Sequence, residues 1–230
     1  MKHRIECLRW LLFLVTFQFF FFSCATGEKP EVLIRQTFQT YKNAILHEEY
    51  HKAASCLDSK TIAYYGSILE HVRYSDSVTI GSMAIMDKLA ILMSRSVFTK
   101  QDISEVNGES FFALLLSKNV VEKESMVSSL IGEVEIDGNF AIGELLTKEL
   151  EKKKKEGQVK GEAIPKVQFY LEGEKWKLNL TSLMEKVNVV FRNMLAKKGA
   201  DENKTLYEMV LLEPGKLNNK NLWEPLMNRF

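Results

Sequence analysis

Among the residues after position 23, three histidines (His47, His51, His71), the adjacent Tyr64 and Tyr65, and two cysteines (Cys24, Cys56) stand out as able to do chemistry. His47-Glu48-Glu49-Tyr50-His51 has the spacing of a zinc-hydrolase helix. On a continuous helix its two imidazoles would share a face to hold a metal, with a glutamate between them to activate water. Two features oppose that chemistry. His47 lies about 140° from the apolar stripe of its own helix at 100° per residue, and no Gly-x-x-His follows. The expectation is therefore no metal and no cofactor, with His47 and His51 kept as the residues a metal would use. His71 is a candidate proton carrier near neutral pH, although Glu70 and Arg73 beside it suit a solvated helix end. Tyr64 or Tyr65, in an apolar pocket, could donate to a carbonyl. Neighbours in sequence lie on different faces of a helix, so at least one of them is expected in the core.

Cysteine usage points outside the cytoplasm. A basic segment (Lys2, His3, Arg4, Arg9) precedes an apolar run, Trp10–Phe22, that ends in Ser23-Cys24 and then turns polar. Thirteen helical residues span about 20 Å, short of a ~30 Å hydrocarbon core. That is the anatomy of a cleaved signal, expected over residues 1–23. Cys24 directly after it, with small Ser23 before and Ala25-Thr26-Gly27 after, resembles the processing site of a bacterial lipoprotein. The resemblance implies lipid on Cys24, a short tether over 24–30, and membrane attachment on the non-cytoplasmic face of the envelope. Phe21 and Phe22 depart from the usual Leu-small-small pattern. With Cys7 in the signal and Cys24 carrying lipid, Cys56 is left without a disulfide partner; among Ala53, Ala54 and Leu57 it reads as a small buried residue.

Charge excludes one partner class. The 230-residue chain has formal charge +1; after residue 23 it carries 28 basic and 29 acidic side chains. A neutral body provides no electrostatic footprint for nucleic acid. Lys152–Lys155 is flanked by Glu149, Glu151 and Glu156, which cancel most of its field and suit a solvated tip.

The elements that would position these residues follow from periodicity. Ile34, Phe38, Tyr41 and Ile45 make one helical stripe from Glu31. Tyr50, Ala53, Ala54 and Leu57 restart it, and Asp58 or Ser59 would cap a third helix carrying Ile62, Tyr65, Leu69 and Val72. Ser82–Met93 is apolar almost all round, the pattern of a helix buried on most sides or covering a pocket. Its Met83, Met86 and Met93 suit an adaptable groove as well as a core. A further helix is expected over 109–119. The period then changes to two: Val134 and Ile136, a turn at Asp137-Gly138, a return strand from Phe140 towards Leu150, then Val167–Leu171, a turn at Glu172-Gly173, and Trp176–Leu180. A last long helix opens on Ser182-x-x-Glu185 with the stripe Leu183, Val187, Val190, Phe191, Met194 and Leu195, and stops at Gly199. Leu206–Leu212 and Trp223-Glu224-Pro225 would form a short helix and a docking tail.

Helices followed by an antiparallel meander give an α+β fold: N-terminal helices packed on a curved, cone-like sheet over 31–199, with the long helix closing it and an irregular tail over 200–230. The segment Tyr41–Ala54, a helix with a polar break and restart, and the hairpin Val167–Leu178 ending in Trp-Lys-Leu resemble the nuclear transport factor 2-like (SnoaL-like) superfamily. That resemblance implies a cone cavity and pairing of two copies through the open sheet. It carries over no catalytic residue, because the superfamily spans isomerases, dehydratases and inert adaptors. The leading expectation is a lipid-anchored, non-catalytic binding module for a small apolar ligand or another envelope protein. A cavity enzyme of isomerase or hydrolase type, using His71, Tyr64 or Tyr65, is the alternative. A zinc protease through His47 and His51 comes third.

Overall fold

The computed structural model describes residues 28–121, 123–158, 164–212 and 221–227. The signal segment and Cys24 lie outside the described residues. Among the described residues eight helices come first: α1 (Pro30–Leu46), α2 (Tyr50–Ser55), α3 (Ser59–Tyr74), α4 (Ser77–Gly81), α5 (Ile85–Val97), α6 (Lys100–Ile103), α7 (Gly108–Ser117) and α8 (Glu124–Ser128). Strands β1 (Leu130–Asp137), β2 (Phe140–Leu146), β3 (Lys166–Glu172) and β4 (Lys175–Asn179) follow, with α9 (Lys148–Lys155) between β2 and β3. Helices α10 (Thr181–Lys198) and α11 (Glu202–Leu212) end the regular structure.

The stripe of α1 buries as its spacing requires: Ile34, Phe38, Tyr41 and Ile45 are all inaccessible. Asp58 caps α3, its Oδ1 accepting the Thr61 amide at 2.9 Å. The four strands form one open antiparallel sheet in the order β1-β2-β3-β4. Turns at Gly138 and Gly173, with φ of +57° and +62°, close two hairpins in register Asp137↔Phe140 and Glu172↔Lys175. Their left-handed φ is what glycine adopts without steric cost. One face of the sheet buries Ala141, Val167, Phe169 and Leu178 against the helices. The other carries charge, with Lys166 paired to Glu135 at 3.3 Å. The free edge of β4 is covered from within: Leu57 bridges Leu178, Asp58 N–H donating to Leu178 O and Leu178 N–H to Cys56 O. That leaves fewer backbone groups on that edge for an unrelated strand to pair with.

Several expectations are corrected by the tertiary structure. The apolar helix begins at Ile85 instead of Ser82, because Asp76 caps the separate turn α4 through the Thr79 amide at 2.8 Å. The return strand β2 stops at Leu146. Thr147 then caps α9 by accepting the Leu150 amide, so the lysine run is a solvated helix with i,i+4 Glu–Lys pairs. The box at Ser182 does not form. Asn179 takes its place, its Oδ1 accepting the Ser182 amide at 2.9 Å while its Nδ2 donates to buried Asp58 Oδ2 at 2.6 Å. Among the described residues after Gly199, the expected short helix forms but starts earlier, at Glu202. Leu206 and Val210, four apart on α11, bury with Ile85, Leu92, Leu195 and Leu222 in a second core cluster.

A bulge between Ile131 and Val134 lets Lys154 reach back from α9 to Glu144 Oε2 at 2.6 Å, while the Glu133 amide donates to the same oxygen at 3.1 Å. Burial pulls the Glu144 pKa upward, but these two donors outweigh it and hold the carboxyl below its ordinary value. Its contribution to stability is therefore full above the unfolded carboxyl range and is lost as pH falls through the lower folded value. Glu144→Gln is expected to melt about 2–4 °C below the parent at pH 6, on a loss of about 1 kcal/mol. The gap should close below the ordinary glutamate value of about 4.3; thermal melts across that range read it, and a gap independent of pH contradicts the pairing.

Candidate functional site: an apolar cavity between the helices

The helical half does not pack solid. Between the two core clusters lies a cavity of about 740 Å³, within the range of roughly 300–1,000 Å³ usual for small-molecule sites. Tyr41, Tyr65, Leu115 and Met126 form its floor on the main core, α5 presents Met86, Leu89, Ala90 and Met93 to it, and α10 and α11 roof it with Leu183, Met184, Val187, Met209 and Val210. The roof is tied down by polar groups. Asn188 Oδ1 accepts the Met86 amide at 2.9 Å, and buried Lys88 donates to Glu202 at 2.8 Å and to Asn203 at 3.2 Å. Val187 and Met209 line the cavity and are 40% and 38% exposed.

Among the described residues, no strand contributes to the lining. The inner face of the sheet, towards which a cone cavity would open, is filled by Phe169, Val167 and Leu178, each fully buried. The stripe expected to bury along α10 divides. Leu195 is buried, whereas Val187, Val190 and Met194 are exposed; of these three, Val187 lines the cavity.

The candidate residues separate clearly. Tyr64 and Tyr65 both line the cavity. Tyr64 is part-buried and its hydroxyl donates to Asp87 Oδ1 at 2.6 Å. Burial first, and then the bond to the carboxylate, hold its pKa far above that of an ordinary phenol. Burial does the same for Tyr65. Both hydroxyls therefore keep their protons and can only donate or accept hydrogen bonds. Asp87 reads in the sequence as a mere polar interruption of an apolar helix; that interruption was the signal for it. Met126, Met184 and Met209, and Asn119 with Val120 and Val121, carry no periodic signal and join the lining only through the fold.

His71 lies elsewhere, in the last turn of α3, where its Nδ1 meets Ser75 Oγ at 2.8 Å. His47 and His51 stand on opposite sides of a break: α1 ends at Leu46, Glu48 has φ of +58°, and α2 restarts at Tyr50. The continuous helix that a two-histidine zinc site needs is not formed. His47 Nδ1 meets the Asn43 carbonyl at 2.8 Å, and no cluster of three metal-ligating side chains occurs among the described residues.

Cys56 is buried, with its Sγ 3.4 Å from Lys52 O, and burial pushes the thiol pKa up. A thiol so placed is slow to react. Peptide mapping after maleimide treatment at pH 7 should find Cys56 unlabelled in the native chain and labelled after denaturation; rapid native labelling would contradict this packing.

Comparison with family models, with curated proteins and with solved structures returned no match. The fold and the site therefore stand on the residues of this chain.

Proposed function

We propose that this chain is a lipid-anchored bacterial envelope protein whose helical half holds a small apolar ligand without transforming it. The observation that carries this reading is the composition of the cavity wall. It combines an apolar lining rich in methionine with tyrosine and asparagine, and includes no imidazole, thiol, amine or carboxylate among the described residues. Unbranched thioethers adapt to ligands of differing shape, and a pocket this size without a base or nucleophile suits retention over turnover. In this reading α1 rests against β1 and β4 so that the meander forms a cone-like layer behind the helices, with the cavity opening on the far side. The anchor rests on the signal over residues 1–23 and on Cys24. No helix among the described residues is long and apolar enough to cross a membrane.

A cavity enzyme is the second reading, favoured by the Tyr64–Asp87 hydrogen bond at the wall. Both tyrosines hold their protons, so such an enzyme would use them as hydrogen-bond donors, with the Asp87 carboxylate already engaged by Tyr64. Native mass spectrometry of the full chain, purified from bacterial membranes in mild detergent, tests the first reading. The expected spectrum shows loss of residues 1–23, lipid mass on Cys24 and one additional small organic mass. Retention of residues 1–23 with an unmodified Cys24 would overturn the anchor. A bare polypeptide that also fails to retain a neutral apolar fluorophore would overturn the binding role.

A further inference from the structure

We propose, resting on that binding role, that the ligand is a neutral apolar molecule carrying one carbonyl-type acceptor, that the Tyr65 hydroxyl donates to this acceptor, and that the cavity rejects the corresponding carboxylate. Tyr65 is only 3% exposed, and its ring is wedged between Phe112 and Tyr64 with centroid separations of 4.7 and 5.1 Å. It cannot swing out to water without unpacking α3 from α7. Its hydroxyl makes no hydrogen bond to any described residue, yet no fully sealed side-chain nitrogen or oxygen lacks a partner among them. The hydroxyl therefore opens on the cavity that Tyr65 lines. A buried donor left unpaired costs free energy, and an acceptor on a ligand would recover it.

The neighbouring groups set the charge of that ligand. Tyr64 has committed its proton to Asp87, whereas Tyr65 keeps its own free to donate. A carboxylate in the cavity would lose its water with no cation among the described lining residues to replace it. Lys88, next to Asp87 in sequence, is engaged by Glu202 and Asn203 on the roof. Asp87, behind Tyr64, would add repulsion. An ester, ketone or amide meets the same hydroxyl without either penalty.

Three probes of one chain length separate the contributions: dodecane, methyl laurate and laurate, each displacing N-phenyl-1-naphthylamine from the full chain held in amphipol at pH 8. Val187→Trp, which puts a bulky ring on the cavity lining from α10, gives the reference with a filled cavity. Wild type should bind the fluorophore more than this reference, and methyl laurate should displace it at least about tenfold more tightly than laurate. Tyr65→Phe should weaken methyl laurate about fivefold and leave dodecane unchanged, with its melting curve reporting an intact fold. Equal fluorophore binding by wild type and Val187→Trp would overturn the cavity reading itself. Binding with laurate as good as its ester, or with Tyr65→Phe unchanged towards the ester, would overturn the proposed ligand chemistry and leave the cavity standing.

Discussion

Arg95→Met is expected to destabilise the chain by about 3–5 kcal/mol, the cost of removing one partner from a buried charged network. In a chain of this length that lowers the melting temperature on the order of 10 °C. Arg95 is fully buried on α5, and its guanidinium fans out to four backbone carbonyls. It donates to Val72 O at 3.1 Å, His71 O at 2.7 Å and Ser75 O at 2.6 Å, all at the C-terminal end of α3, and to Leu222 O at 3.2 Å in the docked tail. Cations at a helix C-terminus also complement its dipole. Burial lowers the Arg95 pKa to about 10, so it stays protonated at neutral pH. Methionine matches the volume but leaves carbonyls facing an apolar side chain. Two of them keep a second donor, since Ser75 N–H reaches His71 O and Leu226 N–H reaches Val72 O. Ser75 O and Leu222 O are the more exposed to loss. Arg95→Lys keeps the charge without the planar fan and should fall between. Calorimetry reads the size of the effect, and proteolysis within 221–227 at native temperature reads its location. A variant melting within about 2 °C of the parent, with the tail still protected, would show that the carbonyls find other donors.

Gly108→Val should cost about 3 kcal/mol, the upper part of the range for overpacking. Gly108 opens α7 behind Asn107, whose Oδ1 accepts the Ser110 amide at 2.9 Å, and it meets α3 backbone to backbone. A Cβ there would stand 2.5 Å from Ile62 O and 2.9 Å from Gly66 N. Neither atom belongs to a side chain that could rotate away, so α7 has to move. Phe111, Phe112, Leu115 and Leu116, all fully buried, would move with it, and Leu115 takes the cavity floor along. The partner position behaves differently. A Cβ on Gly66 meets only Gly108 Cα at 3.9 Å, an ordinary contact. Gly66→Ala should therefore be neutral or gain up to about 1 kcal/mol from helix propensity. Thermal melts of the two variants give opposite signs; similar losses at both positions would contradict the close approach.

The sequence alone determined what depends on neighbours along the chain. Period-two alternation with Asp137-Gly138 and Glu172-Gly173 turns is written locally, and the four-stranded meander follows from it. The same holds for the α1 stripe, the Asp58 cap and the quiet burial of Cys56. Local reading failed where a partner distant in sequence competed. Asn179 displaced Ser182 as the cap of α10 because buried Asp58, over a hundred residues earlier, fixes its amide. The buried cations Lys42, Lys88 and Arg95 look like surface residues in any window. Each is tolerated inside only because oxygens from another element meet it: Ser129 O for Lys42, Glu202 for Lys88 and the α3 carbonyls for Arg95. Tyr64 and Tyr65 were legible as chemistry. Their division of labour was not, because the Asp87 that binds one hydroxyl and the cavity that receives the other arise from three helices meeting imperfectly. Periodicity tells a side chain to leave water. Only the packed structure decides whether it meets protein or an opening that a ligand can fill.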